Sequence, residues 1–582
     1  MFLFNCEGYG KMGRVKIAIW FLTAAFLLIT AGLFNLEIIQ GRNLRGLGDK
    51  NCIRLISQRG SRGRILDRNG LVIAGNKISY DLMLTPQDYR QQDELISKIS
   101  RILGKDPKDL DAVIRRSYSF SSMPVVIASN LKLREAVALG QLRIDYPYIT
   151  VQANPMRDYP NIKLACHLLG YLGEIDRWRL TKLEDYGYKT KDLVGFGGLE
   201  EKYDYYLRDE EGGISFQVDH RGRLVRTLGF KPPVNGKDIE VTIDIRVQKI
   251  VEDALGGRRG AVVIMNPYSG EIIALASSPG FNPEVFLGKE GSAVSRLFKD
   301  PAAPLINRAI SGLYPAGSIF KLVVASAALE NKKINQHSSF LCQGSLRVGR
   351  QEFKCWGTHG AQDIIAAMAH SCNVFFYKSG LLAGPLAMHD YALKLGFSHP
   401  TGFDIPYEKQ GFIPSPLLRK ISAFKNWFDG DTANLSIGQG EVLVTPLQVV
   451  RMMAAFANNG YMVTPYITKS IDGKNLSRYH KKPERLNLKP ETLSLIREGL
   501  RSAVSEPSGT ANVLSSTGVS VAGKTGTAQV PPKQSHAWFS GFFPYKEPKF
   551  VMVVFLENGG PGYNSCVIAK QIIEAMKAQG LI

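Results

Sequence analysis

Ser318 and Lys321 stand three residues apart in Tyr314-Pro315-Ala316-Gly317-Ser318-Ile319-Phe320-Lys321, ahead of an apolar stretch that reads as a helix to about Leu329. On a helix that spacing puts two side chains on one face. A hydroxyl becomes a nucleophile when a base takes its proton, and a desolvated lysine near other cations can have its pKa lowered enough to do so. Alone, the pattern reads more readily as a serine N-cap followed by a solvent-facing lysine. Two further groups change that balance. Ser371-Cys372-Asn373 begins 53 residues after Ser318, and Lys524-Thr525-Gly526-Thr527 begins 206 residues after it. Ser371 can relay a proton with Lys321, Asn373 can hold an amide of an acyl chain, and Lys524 offers positive charge to a carboxylate. Gly526, without a side chain, lets another backbone lie close.

A competing pattern overlaps the third group. Gly518-Val519-Ser520-Val521-Ala522-Gly523-Lys524-Thr525 satisfies the phosphate-loop signature, which requires a strand before it and a helix opening at Lys-Thr. Here Val519 to Val521 alternate like a strand, and Gln529-Val530-Pro531-Pro532 is hostile to a helix, so the nucleotide reading is rejected. A fourth constellation, Cys342, Cys355, His359 and Cys372, is spaced 13, 4 and 13 residues apart. Three thiols and an imidazole suit tetrahedral Zn²⁺. A Cys342–Cys355 disulfide and free thiols stay open beside it.

These groups need a scaffold. The 582 residues exceed what one core usually organises, which points to two to four domains. With 45% hydrophobic and 21% charged residues, the chain is neither disordered, collagen-like nor polytopic. A net charge of +20 suits an anionic envelope, and no nucleic-acid motif accompanies it. Seven scattered cysteines do not make a disulfide framework. Ile17 to Leu36 carries no charge, long enough as a helix to cross a bilayer core, with a weak cleavage signal at Thr30-Ala31-Gly32. We read it as an uncleaved anchor; the basic residues on both sides leave its orientation undecided. Gln58 to Ala74, with Asn69-Gly70 between apolar runs, reads as a β-hairpin. Lys231-Pro232-Pro233-Val234-Asn235-Gly236 is the best linker, placing a boundary near 236. Beyond it, Asp244 to Leu255 reads as a helix, Ala261 to Met265 and Glu271 to Ser277 as strands, His536 to Phe543 and Phe550 to Leu556 as strands, and Cys566 to Gln579 as an amphipathic helix. Strands at both ends of this region, with helical patterns between, imply one antiparallel sheet flanked by helices.

The three motifs in this order match the penicillin-recognising serine acyltransferases. The whole chain resembles a class B penicillin-binding protein, on Arg62 to Gly70, Gly195 to Asp204, and Asn307-Arg308 through Lys321. Ala74-Gly75-Asn76, Ala165 to Tyr171, Gly438-Gln439-Gly440-Glu441 and Thr445-Pro446-Leu447-Gln448 are similar to its elongation branch, penicillin-binding protein 2, with the division branch the nearest rival. The resemblance implies an α+β multi-domain chain: cytoplasmic tail 1–16, transmembrane helix 17–36, pedestal 37–236, and transpeptidase domain 237–582 with a five-stranded antiparallel sheet. It implies catalysis by Ser318, Lys321, Ser371, Asn373, Lys524 and Thr527, with Lys524, Thr525, Gly526 and Thr527 holding substrate. Ser318 would attack the penultimate D-alanine carbonyl of a peptidoglycan stem pentapeptide and pass the acyl group to a neighbouring stem's amine. β-Lactams, as mimics of the donor, would acylate it. No E-x-x-L-N loop lies between Ser371 and Lys524, so slow deacylation is expected. No cofactor is expected for catalysis; some elongation-type members carry zinc near the S-x-N motif. A SEDS-type glycosyltransferase and the rod-shape complex are the implied partners, at the cytoplasmic membrane with the bulk of the chain outside the cytoplasm. D,D-carboxypeptidase activity and an inactive scaffold for the polymerase are the alternatives.

Overall fold

The computed structural model describes residues 8–85, 93–118, 124–218, 224–288, 291–476 and 481–582. Cys6 and the first residues of the expected tail lie outside them. Helix α1 runs from Gly8 to Phe34 and continues as a wider turn over Asn35–Ile39. Within it Val15–Ile39 is a 25-residue candidate membrane span of mean hydropathy 2.3. It extends beyond the uncharged run at both ends, because backbone bonding carries the helix past the first charged residues.

The contacts divide the chain into two compact units that interleave in sequence: 1–61, 77–156 and 209–235 form one, and 62–76, 157–208 and 236–582 the other. In the first, strand β1 (Ile53–Gln58) is followed by β2 (Val72–Leu84), which belongs to this unit from Lys77. Helices α2 (Asp93–Leu103) and α3 (Pro107–Tyr118), strands β3 (Val125–Leu131) and β4 (Ile149–Asp158, in this unit to Met156), and the pair β5 (Gly212–Val218) and β6 (Leu224–Lys231) also belong to it. β1, β5 and β6 make a three-stranded sheet. Leu95, Ile96 and Ile99, at helical spacing on α2, pack with Leu82, Leu84 and Ile127 into this unit's core.

The second unit opens with the expected hairpin: Ile65 pairs with Ala74, and Gly70, at φ 82°, occupies the turn. Its segments 62–76 and 157–208 meet in a buried ion cluster. Arg62 Nη2 donates to Asp204 Oδ1 (2.5 Å) and Arg157 Nε to Glu200 Oε1 (2.7 Å), while Arg62 Nε reaches Glu200 Oε2 (2.8 Å). Gly195 must be glycine, since a Cβ there would sit 2.0 Å from the Glu200 carbonyl oxygen.

The remainder is built on the predicted sheet. Helix α4 (Ile245–Leu255) starts at Asp244, whose side chain accepts from the Arg246 N–H, and β7 (Gly260–Met265) and β8 (Ile272–Ser278) follow. Next come α5 (Lys321–Glu330), the hairpin β9 (Ser345–Val348) and β10 (Gln351–Lys354), α6 (Asn373–Ala383) and α7 (Pro446–Ala457). Strands β11 (Ala522–Val530), β12 (Lys533–Phe543) and β13 (Phe550–Leu556) and helix α8 (Tyr563–Ala578) end the chain. The sheet order is β8-β7-β13-β12-β11, antiparallel throughout, so the last strand pairs with the first and β11 is an edge.

Alternation along β7 sends Val262 and Ile264 into a core with Ile250 and Val251 of α4 and Ile568 and Ile572 of α8. Ala261, Val263 and Met265 enter a second core with α5 and α7. Helices thus cover both faces, and the strands are apolar on both. Every residue of α5 from Lys321 to Leu329 is buried, so a lysine begins a helix with no solvent face.

Candidate active site

Ser318 lies on a tight helical turn, Gly317–Phe320, that runs directly into α5. Two glycines set where this turn meets the sheet. Gly317 is left-handed at φ 54°, and a Cβ on it would come within 2.9 Å of the Thr527 carbonyl oxygen. A Cβ on Gly526 would lie 3.0 Å from Ile319 Cγ1 and 3.1 Å from Trp538 Cβ. Turn and edge strand therefore touch backbone to backbone. Trp538, fully buried, fixes the approach by donating its indole N–H to Pro315 O at 3.0 Å.

Lys321 Nζ donates to Ser371 O (2.7 Å) and Asn373 Oδ1 (2.7 Å) and lies 3.2 Å from Ser371 Oγ. Burial pushes its pKa down to about 7, against a smaller opposing pull from Cys355 and Cys372. Ser371 holds a left-handed backbone, φ 51°, between the helix Ile364–Ala369 and α6. That conformation is unfavourable for a side chain and recurs where a site dictates geometry. Asn373 is held from the other direction: its backbone N–H donates to Cys355 Sγ (3.2 Å), and Nδ2 donates to Lys354 O (3.2 Å), which also accepts from the Tyr377 hydroxyl at 3.2 Å. The amide expected to hold an acyl chain is thus engaged at both ends in the free protein.

Lys524 is buried on β11 and donates to Thr525 O (3.1 Å). Burial first, then the charge of Lys321, pushes its pKa well below the lysine range. A strand passes through Lys524-Thr525, which leaves no helix N-terminus for a phosphate. Thr525 Oγ1 donates to Thr510 Oγ1 (2.9 Å), and Thr527 Oγ1 accepts from Gly562 N–H (2.9 Å). Ser318, Ser371, Asn373, Thr525 and Thr527 line one cleft of about 850 Å³, with Lys321 and Lys524 buried. Gly526 lies between the two threonines on the same strand. The cleft also exposes residues that sequence reasoning missed: Glu352, Lys354, Tyr377 and Thr510. None sits in a motif; the closeness of Lys354 to the Ser371-Cys372-Asn373 group through hairpin β9–β10 was the obtainable signal, since Cys355 follows it. Trp356 lines the same cleft, 63% exposed.

The four metal-ligand candidates do meet. The sulfurs of Cys342, Cys355 and Cys372 and a ring nitrogen of His359 all lie within 4.8 Å of one another. Nδ1 is 3.5 Å from both Cys342 Sγ and Cys355 Sγ, and the buried Nε2 has no partner among the described residues. Sulfurs about 2.3 Å from a tetrahedral zinc stand about 3.8 Å apart, so the donor set fits with small adjustment. Hydrogen bonding from Cys372 and from backbone N–H groups holds the Cys355 thiol below its ordinary range. The alternative Cys342–Cys355 disulfide is not formed; both cysteines are free.

An antiparallel five-stranded sheet with a serine on the turn that leads into its covering helix and a lysine at the start of that helix defines a serine acyl-transfer fold. Residues 260–576 match the penicillin-binding protein transpeptidase domain, and residues 57–241 the penicillin-binding protein dimerisation domain. The chain belongs to the penicillin-binding protein transpeptidases. It is 29% identical to the peptidoglycan D,D-transpeptidase MrdA of Salmonella typhimurium, over 98% of this chain and 97% of that one. Among solved structures, the complex of penicillin-binding protein PBP2 with MreC from Helicobacter pylori aligns at TM-score 0.80 and 26% identity, covering 91% of this chain and all of that one. A structure describing coordination of polymerisation and cross-linking by a peptidoglycan synthase complex aligns at TM-score 0.73 and 28% identity, covering 97% and 98%.

Proposed function

We propose that this protein is a serine peptidoglycan D,D-transpeptidase of the elongation type. The observation that carries the reading is the buried Lys321 amine, held by Ser371 and Asn373 at a cleft that Ser318 and edge strand β11 share. Neutral Lys321 takes the Ser318 Oγ proton as Oγ bonds to the penultimate D-alanine carbonyl carbon. The backbone N–H groups of Ser318 and Thr527 receive the oxyanion, a device worth about 10² to 10³ in rate. The C–N bond to the last D-alanine breaks, and that amine leaves with a proton relayed through Ser371. A neighbouring stem's amine then attacks the ester and restores the Ser318 hydroxyl. Thr525 and Thr527 hold the donor's terminal carboxylate from the cleft, with Lys524 buried on the same strand, and Gly526 lets the donor backbone lie along the free edge of β11.

Residues 37–236 serve as the pedestal and 237–582 as the transpeptidase domain, with segments 62–76 and 157–208 of the pedestal packed into the compact unit that holds 236–582. The apolar helix anchors the chain once in the cytoplasmic membrane, with its N-terminus inside and the bulk outside. A SEDS-type glycosyltransferase and an MreC-like member of the rod-shape complex are the partners; the related PBP2–MreC complex supports the second, and the related peptidoglycan synthase complex supports a polymerising partner in general. Cys342, Cys355, His359 and Cys372 hold a structural Zn²⁺ that braces the loop carrying Ser371 and Asn373, and no catalytic step passes through it. Mapping the peptide modified by labelled penicillin on the full-length protein tests the nucleophile. Label on any residue except Ser318 overturns the assignment. With a pentapeptide donor and a stem-peptide amine, cross-linked dimer is the expected product, and tetrapeptide alone reverses it in favour of a carboxypeptidase.

A further inference from the structure

The cleft is lined mainly by hydroxyls, amides and apolar groups. Among the described residues that line it, Glu352 and Lys354 are the only ones with charged side chains. Both lie on β10, two residues apart, so the pleat puts them on one face, about 7 Å apart along the strand. Neither enters an ion pair among the described residues; Glu352 only accepts the Ser345 hydroxyl at 2.6 Å. Their strand is tied to the reacting groups, because the Lys354 carbonyl holds Asn373 Nδ2 and Asn373 Oδ1 holds Lys321. One anion and one cation, two positions apart on one strand and a single backbone link from the catalytic asparagine, form a receptor for a group carrying both charges.

We propose that Glu352 and Lys354 recognise a zwitterionic side chain on the donor stem. The group would be the amino-acid head, ammonium plus carboxylate, of a diamino dicarboxylic acid at the position just before the acyl-forming D-alanine. This rests on the transpeptidase reading and names its substrate class. Glu352 takes the ammonium and Lys354 the carboxylate. The head belongs to the donor and not the acceptor for a chemical reason. An ammonium beside Glu352 is held in its charged form, whereas an attacking amine must be neutral. A plain lysine side chain in the same place satisfies Glu352 and leaves Lys354 without an anion.

Thioester donors that differ only in that residue, diaminopimelate, its distal-carboxamide form, its distally N-acetylated form, or lysine, test this on the full-length protein. The readout is kcat/KM for Ser318 acylation, compared as ratios within each variant so that general losses cancel. The expected preference for diaminopimelate over lysine is about tenfold. Lys354→Met should erase the preference for carboxylate over carboxamide, and Glu352→Gln the preference for a distal ammonium over its acetylated form. Equal rates for all donors on the unaltered protein overturn the inference, and so do preferences that survive in both variants. Labelled penicillin on the unaltered protein keeps the two readings apart: if Ser318 is labelled and no donor preference exists, only the recognition site is wrong, and if Ser318 is not labelled, the transpeptidase reading itself falls.

Discussion

If Lys321 is the base, acylation of Ser318 should switch on across neutral pH. Its amine is completely buried, which disfavours the charged form and brings its pKa to about 7. The competent form is neutral, so activity is lost as pH falls. A single site at that value leaves about one tenth of the protein competent at pH 6, half at pH 7 and nine tenths at pH 8. The second-order constant for labelled penicillin should therefore rise about tenfold from pH 6 to pH 8 and then flatten. A lysine at its ordinary value of 10.5 would give about a hundredfold over the same interval, with no plateau until about pH 11.5. Measuring the constant on full-length protein from about pH 5.5 to about pH 9.5 separates the two. Lys321→Arg keeps a cation but cannot give up its proton, so acylation should fall by about 10² to 10⁴ at every pH. Continued climbing beyond pH 8, or near-normal acylation by the arginine variant, refutes the assignment. The same shift bears on stability with a fixed sign. Between about pH 7 and the ordinary lysine value the unfolded chain holds a proton that the folded one does not, so stability should rise with pH across that window.

Gly317→Ala places a Cβ on a left-handed residue 2.9 Å from Thr527 O, so the turn must move off β11, at about 1 to 3 kcal/mol and with reduced penicillin labelling. Glu200→Gln leaves Arg62 and Arg157 in a buried cluster without its central charge and should lower stability by about 3 to 5 kcal/mol, read by denaturant unfolding. Purified protein should contain about one zinc per chain, and Cys372→Ser should lower both the metal content and the unfolding temperature; full zinc occupancy in that variant would remove Cys372 from the ligand set.

Much of this was legible because the chain announces it locally. The apolar strands at both ends of the second unit and the serine ahead of an apolar helix need no long-range information. The sheet order follows once the terminal strands must bury two faces. The two interleaved units were not legible: Arg62, Arg157, Glu200 and Asp204 join segments 62–76 and 157–208 to each other, and Ile65 and Leu66 pair in parallel with Ile239 and Glu240 to join them to the C-terminal region. No spacing rule connects charges that far apart. Glu352 and Lys354 were invisible for a related reason, since an alternating charged strand reads as solvated surface until the neighbouring Cys355 brings it beside Asn373.

The two buried charge systems in the second unit show why one is fit for catalysis and the other for support. Arg62 and Arg157 face Glu200 and Asp204, two cations against two anions, so opposite charge compensates the lost water. Lys321 and Lys524 have no carboxylate within ion-pair distance among the described residues; burial disfavours the charge on both, and Lys321 further disfavours that on Lys524. A lysine in the first kind of setting would be a permanent cation and useless as a base. In the second, the core formed around α5 and β11 makes the neutral amine the favoured state at physiological pH, and the acceptors on Ser371 and Asn373 keep it aimed. The reactivity of Ser318 is thus a property of packing: whatever admits water or an anion to the base of the cleft should restore the charge on Lys321 and silence the hydroxyl without touching it.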